Sequence, residues 1–208
     1  MNCKKCKRIV THTINDMCVP CYIKDNLPTK VKDTPWVIAE SYERTKSAQE
    51  KINRDFDKNL ALAIVNRNFE IEKSNNTISI QIKNKVLSIP ITIERIDNLA
   101  HKSGILVGKW LIHKMETEID SAWKVIAENT WSEKLGISAK VSTLLHKSKR
   151  YVICVYTYNY LDLEDVKGIR ENLSLLGFNE KLCYKPDIYS YLGIYYRKTS
   201  LSPCRYRM

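Results

Sequence analysis

Ile105-Leu106-Val107-Gly108-Lys109-Trp110-Leu111-Ile112 is a run of eight residues carrying one charge, and it reads as a strand with most of its surface buried. Downstream, Ile119, Ala122, Trp123, Ile126 and Ala127 recur at three- and four-residue intervals, which predicts a helix over residues 117–129 with one apolar face. Strand character returns at residues 137–145 and again at 151–158, where Tyr151-Val152-Ile153-Cys154-Val155-Tyr156 forms an apolar core run. A second helix is expected over residues 162–176. Asp162 can cap it, Val166, Ile169, Leu173 and Leu176 form its stripe, and Gly177 can end it. Strands near residues 182–185 and 189–197 close the series. The order is strand, helix, two strands, helix, two strands, which indicates a mixed α+β sheet rather than a doubly wound one.

Upstream, Ile78, Ile80 and Ile82 alternate with polar residues, and after Asn84-Lys85 so do Leu87, Ile89, Ile91 and Ile93. This is a hairpin with one buried face. Pro90 lacks a ladder donor, so its strand should lie at an edge or carry a bulge. Phe69 and Ile71 suggest a preceding strand. Residues 40–66 read as one helix, charged from Glu40 to Lys58 and apolar from Leu60 to Val65. Residues 25–39, with Pro28 and Pro35, read as a linker.

The 208 residues include 34 Lys+Arg and 23 Asp+Glu, a formal net charge of +11, with 44% hydrophobic residues. That composition excludes disordered, collagenous and low-complexity chains. No run reaches the roughly 18 apolar residues of a membrane helix. Met1-Asn2-Cys3-Lys4-Lys5-Cys6 has no apolar core of the signal-peptide kind. A soluble cytoplasmic protein that does not engage membranes is expected, and the excess charge favours an acidic partner such as nucleic acid or a phosphorylated ligand.

Four of the seven cysteines fall in the first 21 residues: Cys3, Cys6, Cys18 and Cys21. Two C-x2-C pairs in an intracellular chain point to zinc, because two knuckles supply the tetrahedral four-thiolate shell that zinc prefers. Reduced, unligated thiols are the alternative. A closed four-cysteine site is structural rather than catalytic. Residues 1–24 are therefore expected to form a zinc ribbon, with a hairpin near Asn15-Asp16 and Pro20 in a rigid turn. Lys4, Lys5, Lys7, Arg8 and Lys24 against Asp16 make this segment basic. Cys154, Cys183 and Cys204 read as structural thiols. The expected organisation is a ribbon at 1–24, a linker at 25–39 and an α+β domain at 40–208.

Several of these stretches together resemble a known family. Gly108-Lys109-Trp110-Leu111-Ile112, Asp120-Ser121-Ala122-Trp123 and Ala139-Lys140-Val141-Ser142-Thr143 are one group. Val152-Ile153-Cys154-Val155-Tyr156-Thr157, Asp165-Val166, Leu176-Gly177 and Tyr184-Lys185-Pro186-Asp187 are the other. Over residues 105–206 the chain resembles the basophilic-leukaemia-expressed protein family, a poorly characterised domain similar in fold to the cap-binding translation initiation factor. The resemblance implies a curved, mainly antiparallel sheet backed by helices. It leaves out the cysteine segment and the charged helix at 40–58. Cap recognition needs two aromatic planes around a methylated cationic base, an acidic group and basic residues for phosphate. Trp110 and Trp123 read as core. Only Trp36 and Trp131 are available for a cage, and neither aligns with a cap-binding tryptophan. The resemblance therefore implies a fold and not that activity.

Lys109, Lys140, Lys149, Arg150 and Lys185 are the candidate ligand-binding residues. A lysine inside an apolar strand is costly unless it faces solvent or an anion, and sheet alternation permits Lys109, Lys140 and Lys185 to share one solvated face. An ordinary solvated face with snorkelling lysines is the alternative. Ten of the twelve tyrosines lie in residues 151–206, which suggests a stacking platform for single-stranded nucleic acid. The leading expectation is a non-enzymatic binding protein for RNA or another phosphorylated ligand. One alternative is a phosphate-directed enzyme, such as a phosphothreonine lyase, using Lys and His. Lys109 and His113 share a strand face but sit about 13 Å apart, and His101 or His146 would have to come from elsewhere. No P-loop, GxGxxG, HExxH or GxSxG motif appears. The other alternative is a protein-interaction adaptor working through residues 1–58. Oligomeric state is not legible.

Overall fold

The computed structural model describes residues 1–7, 17–52, 56–74, 76–146, 150–196 and 199–208. Its main body is a six-stranded sheet built from β1 (Trp36–Glu40), β5 (Gly108–Met115), β6 (Ser138–Ser142), β7 (Arg150–Thr157), β8 (Cys183–Pro186) and β9 (Tyr206–Arg207). The strand order is β1-β6-β7-β5-β8-β9, and every pairing is antiparallel. Three shorter strands, β2 (Phe69–Glu72), β3 (Thr77–Ile82) and β4 (Lys85–Pro90), form a separate antiparallel sheet. The helices are α1 (Val19–Asp25), α2 (Tyr42–Ile52), α3 (Lys58–Val65), α4 (Ile93–Ser103), α5 (Glu116–Trp131), α6 (Leu163–Leu175) and α7 (Asp187–Tyr191). The class is α+β, as the element order implied.

Period-two alternation divides the large sheet into two faces. Val37, Ala39, Trp110, Ile112, Ala139, Val141, Ile153, Val155 and Tyr184 are buried and form one face. Against it packs α5, whose buried stripe is Ile119, Ala122, Trp123, Ile126 and Ala127, with Thr130 at its end. Each fully buried aliphatic side chain here contributes roughly 1.5–3 kcal/mol. The Trp110 indole donates to the Val166 carbonyl at 3.1 Å, which ties β5 to α6. Both Trp110 and Trp123 are core, as expected. The Asp162 side chain accepts from the Glu164 and Asp165 amides to cap α6, and Gly177 follows its end at φ +93°.

The sequence expectations need correction in five places. The helix expected over 40–66 is three elements, because Glu40 ends β1 and Asp57 caps α3 by accepting from Asn59 and Leu60. The expected linker at 25–39 ends inside β1, which pairs with β6 across about a hundred residues of chain. The strand expected to run to Ile93 stops at Pro90; Thr92 accepts from the Arg95 amide and starts α4, an amphipathic helix the alternation concealed. The strand expected at 189–197 is instead the short helix α7 followed by irregular chain, with Gly193 at φ +70°. Arg197 lies outside the described residues. Finally, Cys183 and Cys204 are joined in a disulfide between β8 and the segment leading into β9, so they are not thiols. Pro90 does lie on an edge strand, since β4 has β3 as its sheet neighbour and closes the smaller sheet. No helix among the described residues is long and apolar enough to cross a membrane.

Candidate functional site

The face of the large sheet opposite α5 carries the polar residues of the alternation. Register places Lys109 opposite both Tyr156 and Lys185, and Lys140 opposite Cys154. Trp36 lies opposite Ser142 and so sits diagonal to Lys140. The side chains interleave. The Lys140 ammonium is 4.4 Å from the Trp36 ring centroid and 5.5 Å from that of Tyr156. Lys109 is 5.3 Å from the Tyr156 centroid, and Lys185 is 3.7 Å from that of Tyr195. The result is a belt in which rings and cations alternate from Trp36 on β1 to Lys109 on β5, with Lys185 of β8 directly opposite Lys109 and capped by the Tyr195 ring.

Local chemistry holds this belt in place. The Thr34 hydroxyl donates to the Trp36 carbonyl at 3.1 Å, the Thr143 hydroxyl donates to Thr34, and the Thr143 amide donates to Pro35 at 3.2 Å, fixing the start of β1 on the end of β6. A side chain at Gly136 would collide with the Tyr156 carbonyl oxygen, which accepts from the Ile137 amide at 3.0 Å; only glycine permits that approach. The Asp187 amide donates to the Val107 carbonyl at 2.8 Å, which holds the Asp187 carboxylate in an ion pair with Lys109. Lys185 is buried and donates to the Ile194 carbonyl at 2.9 Å.

Electrostatics follow from this burial. Desolvation, with the Lys109 charge adding to it, brings the Lys185 amine down to about 8, while Asp187 opposes the shift. Burial pushes the Tyr156 phenol up, so it stays protonated. Burial also pushes the Cys154 thiol up to about 11 against the pull of Lys109 and Lys140. A neutral thiol under two lysines is a poor nucleophile. Three lysines and one aspartate give the belt a formal +2.

Of the sequence-predicted ligand residues, Lys109, Lys140 and Lys185 share this face, but it is not the solvated face expected for all three. Lys185 is buried and the Lys109 side chain is only 12% exposed, because the segment around Ile194 and Asp187 packs over that end. Arg150 shares its parity but pairs with Met115 at the far end of β7, six positions from Tyr156. Lys149 lies outside the described residues. The tyrosine platform is narrower than the count suggested: Tyr151, Tyr160, Tyr184 and Tyr189 are core. The Tyr160 hydroxyl donates to Asp97, which also pairs with Arg205. Sequence reading missed Asp187, Tyr156 and Tyr195 as individual members. The signal available for Asp187 was its place two residues after Lys185, at the turn out of a strand. Trp131, a cage candidate from sequence, is instead packed edge-on against Tyr22 at 5.7 Å and seats α1 on α5.

The second cluster is Cys3, Cys6, Cys18 and Cys21, whose sulfurs all lie within 4.8 Å of one another and could hold a metal ion. The Cys6 amide donates to the Cys3 sulfur at 3.5 Å, and the Cys6 and Cys18 sulfurs are 3.7 Å apart. Cys18 caps α1, Pro20 lies in its first turn and Cys21 inside it, so the second knuckle is helical. The hairpin expected near Asn15-Asp16 lies outside the described residues. Backbone N–H groups of Cys6 and Cys18 draw the Cys3 thiol down to about 6, while hydrogen bonds with Cys18 and the neighbouring sulfurs push Cys21 up to about 12. Thiols crowded this closely share protons unevenly, and a bound cation would take the place of those protons.

A family model described as basophilic leukemia-expressed protein Bles03 matches residues 23–193. Among solved structures, the chain is similar to eIF4E-3 of Ascaris suum in complex with an m2,2,7G cap, at TM-score 0.38 and 14% identity, covering 64% of this chain and 68% of that one. It is similar to a schistosome eIF4E complexed with m7GpppG and 4E-BP, at TM-score 0.37 and 15% identity, covering 64% and 69%. The C. elegans eIF4E-3 complex with the 4E-binding protein Mextli and a cap analog gives TM-score 0.37 and 15% identity, covering 60% and 67%.

Proposed function

The chain belongs to the family of basophilic leukemia-expressed protein Bles03, and we propose that it is a non-enzymatic binding protein that engages single-stranded RNA, or another phosphorylated ligand, on the belt of its six-stranded sheet. The observation that carries this reading is the interleaving of Lys109, Lys140 and Lys185 with Trp36, Tyr156 and Tyr195 on one face. Ammonium groups make charge-assisted hydrogen bonds to phosphate oxygens. Aromatic rings offer stacking surfaces worth about 1–3 kcal/mol per base. Binding suits the site's chemistry better than turnover does: Cys154 is a neutral thiol, Tyr156 is protonated, and Lys109 and His113 lie about 13 Å apart along one strand.

The four-cysteine cluster is, in the same proposal, a structural zinc site. A tetrahedral thiolate shell with bonds of about 2.3 Å places sulfurs about 3.8 Å apart, and the Cys6–Cys18 separation of 3.7 Å suits it. A reducing, cytoplasmic setting fits the four free thiols of the cluster, while the Cys183–Cys204 disulfide points to an oxidising one. Binding of labelled single-stranded RNA across a salt series tests the proposal. Phosphate contacts are strongest at low salt, so no measurable affinity there overturns it.

A further inference from the structure

The three lysines of the belt are not equivalent. Lys109 is ion-paired with Asp187, and Lys185 is held by the Ile194 carbonyl. Among the described residues Lys140 has neither a carboxylate nor a carbonyl partner; its ammonium rests on the rings of Trp36 and Tyr156, at 4.4 and 5.5 Å. We propose that Lys140 is a placeholder on the Trp36 ring, and that this face takes a nucleotide unit whose base displaces the ammonium while its phosphate receives it. The inference rests on the binding function proposed above and specifies the ligand.

The physical reasoning concerns coupling. A cation over an indole face is attracted by the ring quadrupole, and it covers surface on which a base would stack. A ligand that offers a base alone must strip the ammonium from the rings and offers it no anion in exchange. A ligand that offers phosphate alone gains the ammonium and leaves the indole face unused. A nucleotide does both, and lysine's flexible four-carbon stem lets the charge swing from ring to phosphate. Because ring and cation repeat along the belt, at Trp36 and Lys140 and then at Tyr156 and Lys109, a chain of nucleotides fits it better than a single phosphorylated aromatic side chain.

The test titrates the full-length chain, wild type and Lys140→Met, at low salt with adenosine, ribose 5-phosphate, adenosine 5′-monophosphate and phosphotyrosine. The Trp36 indole resonance serves as the readout. For wild type the expected order has the nucleotide at least tenfold tighter than adenosine, ribose 5-phosphate or phosphotyrosine. In Lys140→Met, adenosine binds at least threefold tighter than to wild type, and the nucleotide loses its advantage over adenosine. Unchanged adenosine affinity in Lys140→Met overturns the inference. Ribose 5-phosphate or phosphotyrosine binding wild type as well as the nucleotide also overturns it, yet leaves the binding function standing. Failure of every phosphorylated probe to bind wild type removes both. If Lys140→Met fails to fold, Trp36→Leu decides, with calorimetric titration replacing the lost indole signal: nucleotide affinity should drop to that of ribose 5-phosphate, and an unchanged value is contradictory.

Discussion

The Lys109 ammonium on β5 is paired with the Asp187 carboxylate at the start of α7, and the Asp187 amide is anchored on Val107, two residues before Lys109 in the chain. The Asp187 carboxylate thus offsets one of the three lysines of the belt, and Glu40, on the same face of β1, lies diagonal to Lys140. Replacing Asp187 with Asn raises the formal charge there from +2 to +3. Affinity for single-stranded RNA should rise, on the order of three- to tenfold at low salt. Fluorescence anisotropy against the wild type measures it, and weaker binding would show that Asp187 contacts the ligand or holds the site's shape.

Lys185 makes the face sensitive to pH. Its amine is at about 8 in the folded chain against an ordinary value of 10.5. The protonated form is favourable for phosphate, so affinity should fall as pH passes from 7 to 9. The stability effect has the opposite sense. Between about 8 and 10.5 the unfolded chain binds more protons at this residue, so its contribution to stability rises with pH across that window and is flat below it. Lys185→Met should remove both dependences. Binding isotherms and chemical denaturation at pH 7, 8 and 9 check this pair of signs.

The cysteine cluster predicts one zinc per chain by metal analysis. A Cys18→Ser/Cys21→Ser variant should lose it. Because Tyr22 packs on Trp131, loss of the metal should also loosen α1 from α5 and lower the melting temperature. Full metal content in the double variant would refute the site.

Cys183 and Cys204 close a loop with a sequence separation of 21. Chain-entropy arguments put such a crosslink at about 3 kcal/mol. Cys204→Ser should therefore lower stability by roughly 2–4 kcal/mol under non-reducing conditions. The segment after Cys204 is also held by the Arg205–Asp97 ion pair, by the Arg205 amide on Tyr184 and by Arg170 on the Met208 carbonyl, so it should stay folded. Equal stability of variant and wild type would show that the bond does not persist in solution.

The parts of this fold that were legible in the sequence are those fixed by local periodicity. Alternation around Trp110 and Val155, and the stripe from Ile119 to Ala127, reflect burial against one partner surface, and they gave element type within a few residues. Elements fixed by single residues were harder. Asp57 breaks one long helical pattern by offering its carboxylate to two amides, and Thr92 turns a strand-like isoleucine series into α4. The aromatic run around Tyr189–Tyr195 has strand propensity but folds partly as α7 after Pro186. At the candidate site, alternation permitted Lys109, Lys140 and Lys185 to meet, but strand order decided it. With β7 placed between β6 and β5, Tyr156 stands between Lys140 and Lys109; no spacing in the sequence encodes that neighbourhood. Trp36 joined the belt through a pairing with residues about a hundred positions away, which local reading does not reach.

The measurement that bears most directly on the proposed function is the salt dependence of single-stranded RNA binding, compared between wild type and a Lys109→Ala/Lys140→Ala variant. For single strands, the slope of log affinity against log salt changes by about 0.7 per phosphate contact. The account predicts measurable affinity at low salt, with a slope that is shallower by about 1.4 in the double variant. Identical slopes and affinities for the two proteins, or no binding by the wild type at low salt, would contradict it.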